Sequence, residues 1–106
     1  MTITTTESIQ GKTIVKYLGI VTGEAVIGSH LVDDLFKGIR GIVGGRTSRH
    51  EKNLVAARGL ALKDMQANAA QLGANAVVGV DLDYEAFGVG ETILIVIANG
   101  TAVLVE

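Results

Sequence analysis

Leu72-Gly73-Ala74-Asn75-Ala76-Val77-Val78-Gly79-Val80-Asp81-Leu82-Asp83-Tyr84-Glu85 contains a helix stop followed at once by a β-strand. Side chains alternate across a strand. Positions 76, 78, 80, 82 and 84 thus place Ala, Val, Val, Leu and Tyr on one face. The other face receives Val77, Gly79, Asp81, Asp83 and Glu85. Three carboxylates in one row, in a chain otherwise rich in aliphatic residues, form either a solvated rim or a cation site.

Upstream of this strand lies the clearest helix, beginning near Ser48 or Arg49 and ending at Leu72. Ser48 followed three residues later by Glu51 has the capping-box pattern. Leu54, Ala57, Ala61, Met65 and Leu72 form an apolar stripe flanked by Val55, Leu62 and Ala69, and Gly73 provides the left-handed stop. At 1.5 Å per residue such a helix is roughly 35 Å long, enough to cover a small sheet diagonally.

Thr2 to Thr6 is a short strand candidate, Glu7 to Lys12 a turn, and Thr13 to Ile27 a longer strand. Gly19 and Gly23 interrupt the longer strand, marking bulges or places where another backbone comes close. Between Gly28 and Gly45, Leu31 to Phe36 has the pattern of a short amphipathic helix, followed by a glycine-rich loop into Arg46. Ala86 to Glu91 forms a turn. Thr92 to Ala98 is apolar on both faces and so demands cover on both faces. One helix covers one of them, which leaves the other to a loop or a second subunit. Asn99-Gly100 marks a turn or bulge before Thr101 to Val105 returns to strand. The fold class is α+β, one long helix packed on a mostly antiparallel sheet.

The chain has 106 residues, which places residues 1–106 in one domain. Hydrophobic residues make up 48% and charged residues 19%, with a mean hydropathy of +0.42. That apolar supply exceeds what one small core absorbs, and the surplus points to a subunit interface in a homo-oligomer. A net charge of −2 and a pI near 5.6 argue against nucleic acid as partner, as do four aromatic residues without Trp. The absence of cysteine excludes disulfides and thiolate metal sites. No stretch has the pattern of a signal peptide or approaches the roughly 20 apolar residues that span a bilayer, so a cytoplasmic protein is expected.

Asp81, Asp83 and Glu85 can offer oxygen ligands to a hard divalent cation such as Ca²⁺, Mg²⁺ or Mn²⁺. Successive same-face positions stand roughly 6.5–7 Å apart, too far for all three to hold one ion without help from another subunit. The alternatives are a solvated strand face or pairing with Arg40, Arg46 or Arg49 across an interface. His30 and His50 lack the spacing and the further ligands of a zinc site. Gly44, Gly45 and Arg46, just ahead of a helix, form a candidate anion cradle, against a plain entry turn. They lack both the P-loop ending and the dinucleotide fingerprint. No nucleophile–base pair is visible.

Four ordered motifs carry a resemblance. Tyr17-Leu-Gly-Ile-Val-Thr-Gly-Glu-Ala-Val-Ile-Gly28, Ile39-Arg-Gly-Ile-Val-Gly-Gly-Arg46, Leu72-Gly-Ala-Asn-Ala-Val-Val-Gly-Val80 and Gly100-Thr-Ala-Val103 resemble the YbjQ-type family of small bacterial and archaeal proteins. The family is described as heavy-metal-binding, and its biochemical function is not established. The resemblance implies a dodecin-like α+β subunit and a ring-shaped homo-oligomer, a pentamer. The family usually has Tyr where this chain has His50, so His50 is not carried over as a shared ligand. The leading expectation is a cytoplasmic oligomer that binds a metal cation through oxygen ligands around Asp81 and Asp83, or serves as a structural binding module. An anion or small-molecule binder using Gly44, Gly45 and Arg46 at subunit boundaries comes second. An enzyme with an intersubunit site comes third.

Overall fold

The computed structural model describes residues 1–28, 46–87 and 93–106, with the backbone alone for residues 46–52. The elements are β1 (Thr2–Ile3), β2 (Ile14–Ile27), α1 (Arg46–Gln71), β3 (Ala76–Phe87) and β4 (Ile93–Val105). They form one four-stranded sheet in the order β1-β3-β4-β2, with α1 packed on it. β4 runs antiparallel to both β2 and β3, and the two-residue β1 runs parallel to β3. β2 and β3 are therefore parallel to each other with β4 inserted between them. The architecture is α+β with a mostly antiparallel sheet, as the sequence implies. The short helix over Leu31 to Phe36, His30, Gly44, Gly45 and most of the turn after Ala86 lie outside the described residues.

α1 buries one row of side chains spaced by four: Ala57, Ala61, Met65 and Ala69. Four-residue spacing keeps a row on one helix face. Three of the four are alanines, so the helix backbone comes very close to the sheet. Gly23 on β2 sits at the closest approach. A Cβ there would meet Ala61 O and Met65 N and lie 2.8 Å from Met65 Cα. Of the two meanings that a strand glycine can have, Gly23 takes close approach, whereas Gly19 sits at a bulge between Tyr17 and Gly19.

The helix begins at Arg46, so Ser48 is its third residue and not its N-cap. Its end follows the sequence closely. Ala74 N–H donates to Ala69 O at 3.1 Å and Gly73 N–H to Ala70 O at 3.0 Å. This is the paired bonding of a Schellman motif, with Gly73 at φ +85° as the left-handed residue. Leu72 falls beyond the stripe it was expected to join and is 47% exposed.

Strict alternation along β3 fails at one residue. Gly79 adopts φ +62°, and the register with β4 shifts between Val78 and Asp81. The extra residue is a β-bulge, which exchanges the faces of everything beyond it. Val77 joins Val80 and Leu82 on the helix side, while Ala76 and Val78 share the opposite face with Asp81, Asp83 and Glu85. The carboxylate row stays in one line, but its apolar neighbours differ from those that alternation gives. Gly79 N–H donates to Thr6 O at 2.9 Å and Val80 N–H to Thr4 O at 3.0 Å, so the N-terminal segment satisfies the bulged backbone.

Asn99-Gly100 does not turn the chain. β4 is continuous through it, pairing Asn99 with Thr22 and Gly100 with Val21. Gly100 lies beside the bulge of β3, where a Cβ would stand 2.5 Å from Val77 Cγ1. Glycine is needed here for space rather than for a turn.

Candidate functional site

The sheet face remote from α1 follows directly from the register. Its rows run from β3 through β4 to β2: Val78–Thr101–Ile20, Asp81–Asn99–Thr22, Asp83–Ile97–Glu24 and Glu85–Ile95–Val26. The carboxylates of β3 thus line one side, and Glu24 joins them across Ile97. In the polar row, Thr22 Oγ1 donates to Asn99 Oδ1 at 2.9 Å. At one end Ala76, Val78 and Val103 form a small cluster with Ile9, Ile14 and Val105. Beyond that cluster the face is open among the described residues. Ile20 is 83% and Tyr17 70% exposed, and Ile95 and Ile97 remain half-buried.

Asp81, Asp83 and Glu85 are all exposed. Asp83, Tyr84, Glu85, Ile95 and Ile97 line a depression of about 270 Å³. Its apolar part comes from the isoleucines of β4 and its charge from the β3 row. Among the described residues no three His, Cys, Asp or Glu side chains gather closely enough to hold one metal ion. Along a strand one subunit offers its carboxylate oxygens in a line, not around a point. The donors present are carboxylates, which suit hard cations and not thiophilic metals.

Of the anion-cradle candidates, Gly44 and Gly45 lie outside the described residues, and Arg46 is the first residue of α1. The first turn of α1 holds Arg46 and Arg49 and no acidic residue.

Two features escape a reading of the sequence. Glu24 becomes part of the acidic face only through the β2–β4 register, although the alternation Ile20-x-Thr22-x-Glu24-x-Val26 carries the signal. Asp64 and Asn68, one helical turn apart, reach the outer edge of β2. Glu24 N–H donates to Asp64 Oδ2 at 3.0 Å, and Asn68 Nδ2 donates to Thr22 O at 2.7 Å. They cap backbone groups that an edge strand otherwise leaves open to pairing.

The profile of the YbjQ-type family, whose description is "putative heavy-metal-binding", matches residues 1–106. The chain belongs to this family. A solved structure similar to it is a protein of unknown function of the DUF74 family from Pediococcus pentosaceus ATCC 25745, at 2.73 Å resolution. The two superpose with a TM-score of 0.64 at 20% identity, over 100% of this chain and 98% of that one. At that identity the likeness is one of fold. Among the described residues no helix is long and apolar enough to cross a membrane.

Proposed function

We propose that this YbjQ-type protein is a self-assembling binding module of the cytoplasm, a closed homo-oligomeric ring in which the open sheet face is covered by a neighbouring subunit. The observation that carries this reading is the exposure of Tyr17, Ile20 and Val26 around half-buried Ile95 and Ile97 on one continuous face. Large apolar side chains left open on one sheet face, here on both sides of the polar Asp81–Asn99–Thr22 row, favour an interaction surface in soluble proteins. The elongated shape agrees: the radius of gyration is 16.1 Å, against about 13 Å for a compact chain of this length. A pentamer is the ring that the family resemblance favours.

The ligand of such a module is a hard divalent cation, taken up where carboxylates of adjacent subunits meet. Asp81, Asp83 and Glu85 supply the oxygens, and convergence of two rows at a subunit boundary overcomes the spacing that defeats one row alone. The family description supports metal binding in general; the carboxylate donors here favour a hard ion. Anion binding by Gly44, Gly45 and Arg46 is the second reading, supported by a first turn of α1 that contains Arg46 and no acidic residue.

Native mass spectrometry of the untagged protein, with elemental analysis of the same sample, tests both parts. A defined oligomer with stoichiometric metal is expected, and Asp81→Asn/Asp83→Asn should lose the metal while the oligomer persists. An oligomer that binds no metal after exposure to Ca²⁺, Mg²⁺ and Mn²⁺ overturns the cation site and leaves the assembly. A metal load unchanged by the double substitution places the site elsewhere.

A further inference from the structure

Asn99-Gly100 is the one Asn-Gly step in the chain, since Asn53, Asn68 and Asn75 precede Leu54, Ala69 and Ala76. Such a step is chemically labile, because no Cβ on the following residue hinders attack by its backbone nitrogen on the asparagine Cγ. A bond forms between the glycine nitrogen and Cγ, the Cγ–Nδ2 bond breaks, and ammonia leaves with the proton that the attacking nitrogen gives up. Water then opens the cyclic imide at one of its two carbonyls, which leaves aspartate or isoaspartate.

The fold brings this labile step into its central strand. Gly100 lies beside the Gly79 bulge, where a Cβ would stand 2.5 Å from Val77 Cγ1 and 3.3 Å from Val80 Cγ2. Asn99 stands between Asp81 on β3 and Thr22 on β2. An aspartate at 99 would set like charges directly opposite each other across the strands. The neutral amide avoids this, and its Oδ1 accepts the Thr22 Oγ1 hydrogen bond at 2.9 Å. The glycine answers the bulge and the amide answers Asp81, so β3 accounts for both halves of the dipeptide.

We propose that Asn99 is a latent deamidation site, guarded by the β4 ladder and by Thr22 and opened by unfolding. For attack, the Gly100 nitrogen must swing over Asn99 Cγ, which takes Asn99 out of its extended backbone. β4 is continuous through both residues, with Asn99 paired to Thr22 and Asp81 and Gly100 paired to Val21. Gly100 is buried, and the Thr22 hydroxyl holds the Asn99 amide by its oxygen. A central strand with a neighbour on each side opens only when most of the domain does. Deamidation therefore records unfolding, and the record is permanent. Aspartate at 99 meets Asp81 across the strands, and isoaspartate adds a carbon to the backbone and breaks the register. The guard lies within a single chain, so it stands independently of the self-assembly proposed above.

The test incubates the untagged protein at mildly alkaline pH, with and without denaturing urea. Fragment-ion mass spectrometry follows the conversion of each asparagine with time. In urea, Asn99 should convert well ahead of Asn53, Asn68 and Asn75. In the folded protein its rate should fall on the order of a hundredfold or more. Thr22→Val keeps a β-branched strand residue without the hydroxyl, and should raise the folded-state rate several-fold while the β4 amides keep their hydrogen-exchange protection. Conversion of Asn99 at equal rates in the folded and unfolded chains overturns the proposal. So does an unfolded chain in which Asn99 converts no faster than Asn75. An unchanged rate in Thr22→Val, or a faster one accompanied by faster β4 exchange, overturns the role of the Thr22 hydroxyl.

Discussion

Replacing Gly23 by alanine adds one methyl group where the helix touches the sheet most closely. The new Cβ would lie 2.8 Å from Met65 Cα and closer still to Met65 N and Ala61 O, all backbone atoms. No rotamer change relieves such a clash, so α1 must retreat by about 1 Å to restore ordinary carbon contact distances. A gap of that size forfeits a quarter to a half of the dispersion energy along the buried row of Ala57, Ala61, Met65 and Ala69. Overpacking costs about 1–3 kcal/mol, and backbone neighbours place this site at the upper end, near about 3 kcal/mol. Alanine's narrower unfolded ensemble offsets about 0.5 kcal/mol of that loss. The net loss of roughly 2.5 kcal/mol corresponds to a fall in Tm of about 10–20 °C for a domain of this size.

Gly100→Ala is the matched comparison. Its nearest obstacles are side-chain atoms, Val77 Cγ1 at 2.5 Å and Val80 Cγ2 at 3.3 Å, which can move aside. A loss of about 1 kcal/mol is expected there. Thermal unfolding followed by circular dichroism at one fixed protein concentration measures both, with the assembled mass checked at that concentration. Gly23→Ala as stable as wild type, or less damaging than Gly100→Ala, would refute the close helix–sheet contact.

Gly79→Ala forces a side chain into the left-handed conformation at φ +62° and should cost about 1–2 kcal/mol in chemical unfolding. Asn75→Ala removes two bonds that close the end of β4, Nδ2 to Val105 O at 2.9 Å and Val105 N–H to Oδ1 at 2.8 Å. It should destabilise by about 1 kcal/mol and speed hydrogen exchange at the Val105 amide. Asp64→Ala/Asn68→Ala uncaps the β2 edge, so the Glu24 amide should exchange faster while amides of β4 keep their protection. Unchanged exchange at Glu24 would show that the edge capping is not maintained in solution.

Elements that depend on local spacing were legible in the sequence. The four-residue alanine row and Gly73 define α1 and its end, and the uninterrupted apolar run of Thr92 to Ala98 marks the central strand. What escaped depends on contacts between distant segments. Gly79 carries the same bulge signal that was read at Gly19 and Gly23, but simple alternation runs straight through it, and the bulge moves Val77 to the helix side. Gly100 looks like a turn residue until the neighbouring bulge shows why a Cβ cannot fit. Ser48 has the chemistry of an N-cap, but the helix starts earlier, at Arg46. The acidic row was readable, since alternation beyond the bulge holds. Glu24 was not, because only the β2–β4 register brings it to the same face. The edge capping by Asp64 and Asn68 needs the helix placed over β2, which no periodicity specifies.

Sedimentation equilibrium of the untagged protein across the micromolar range is the most direct test of the open sheet face as an interface between copies. A mass of several times 11.0 kDa, at a fixed whole number of chains, is expected for the wild type, falling to one chain for Ile20→Glu/Val26→Glu. A wild type that sediments at 11.0 kDa throughout would contradict it, and the exposed Tyr17, Ile20 and Val26 would need another partner.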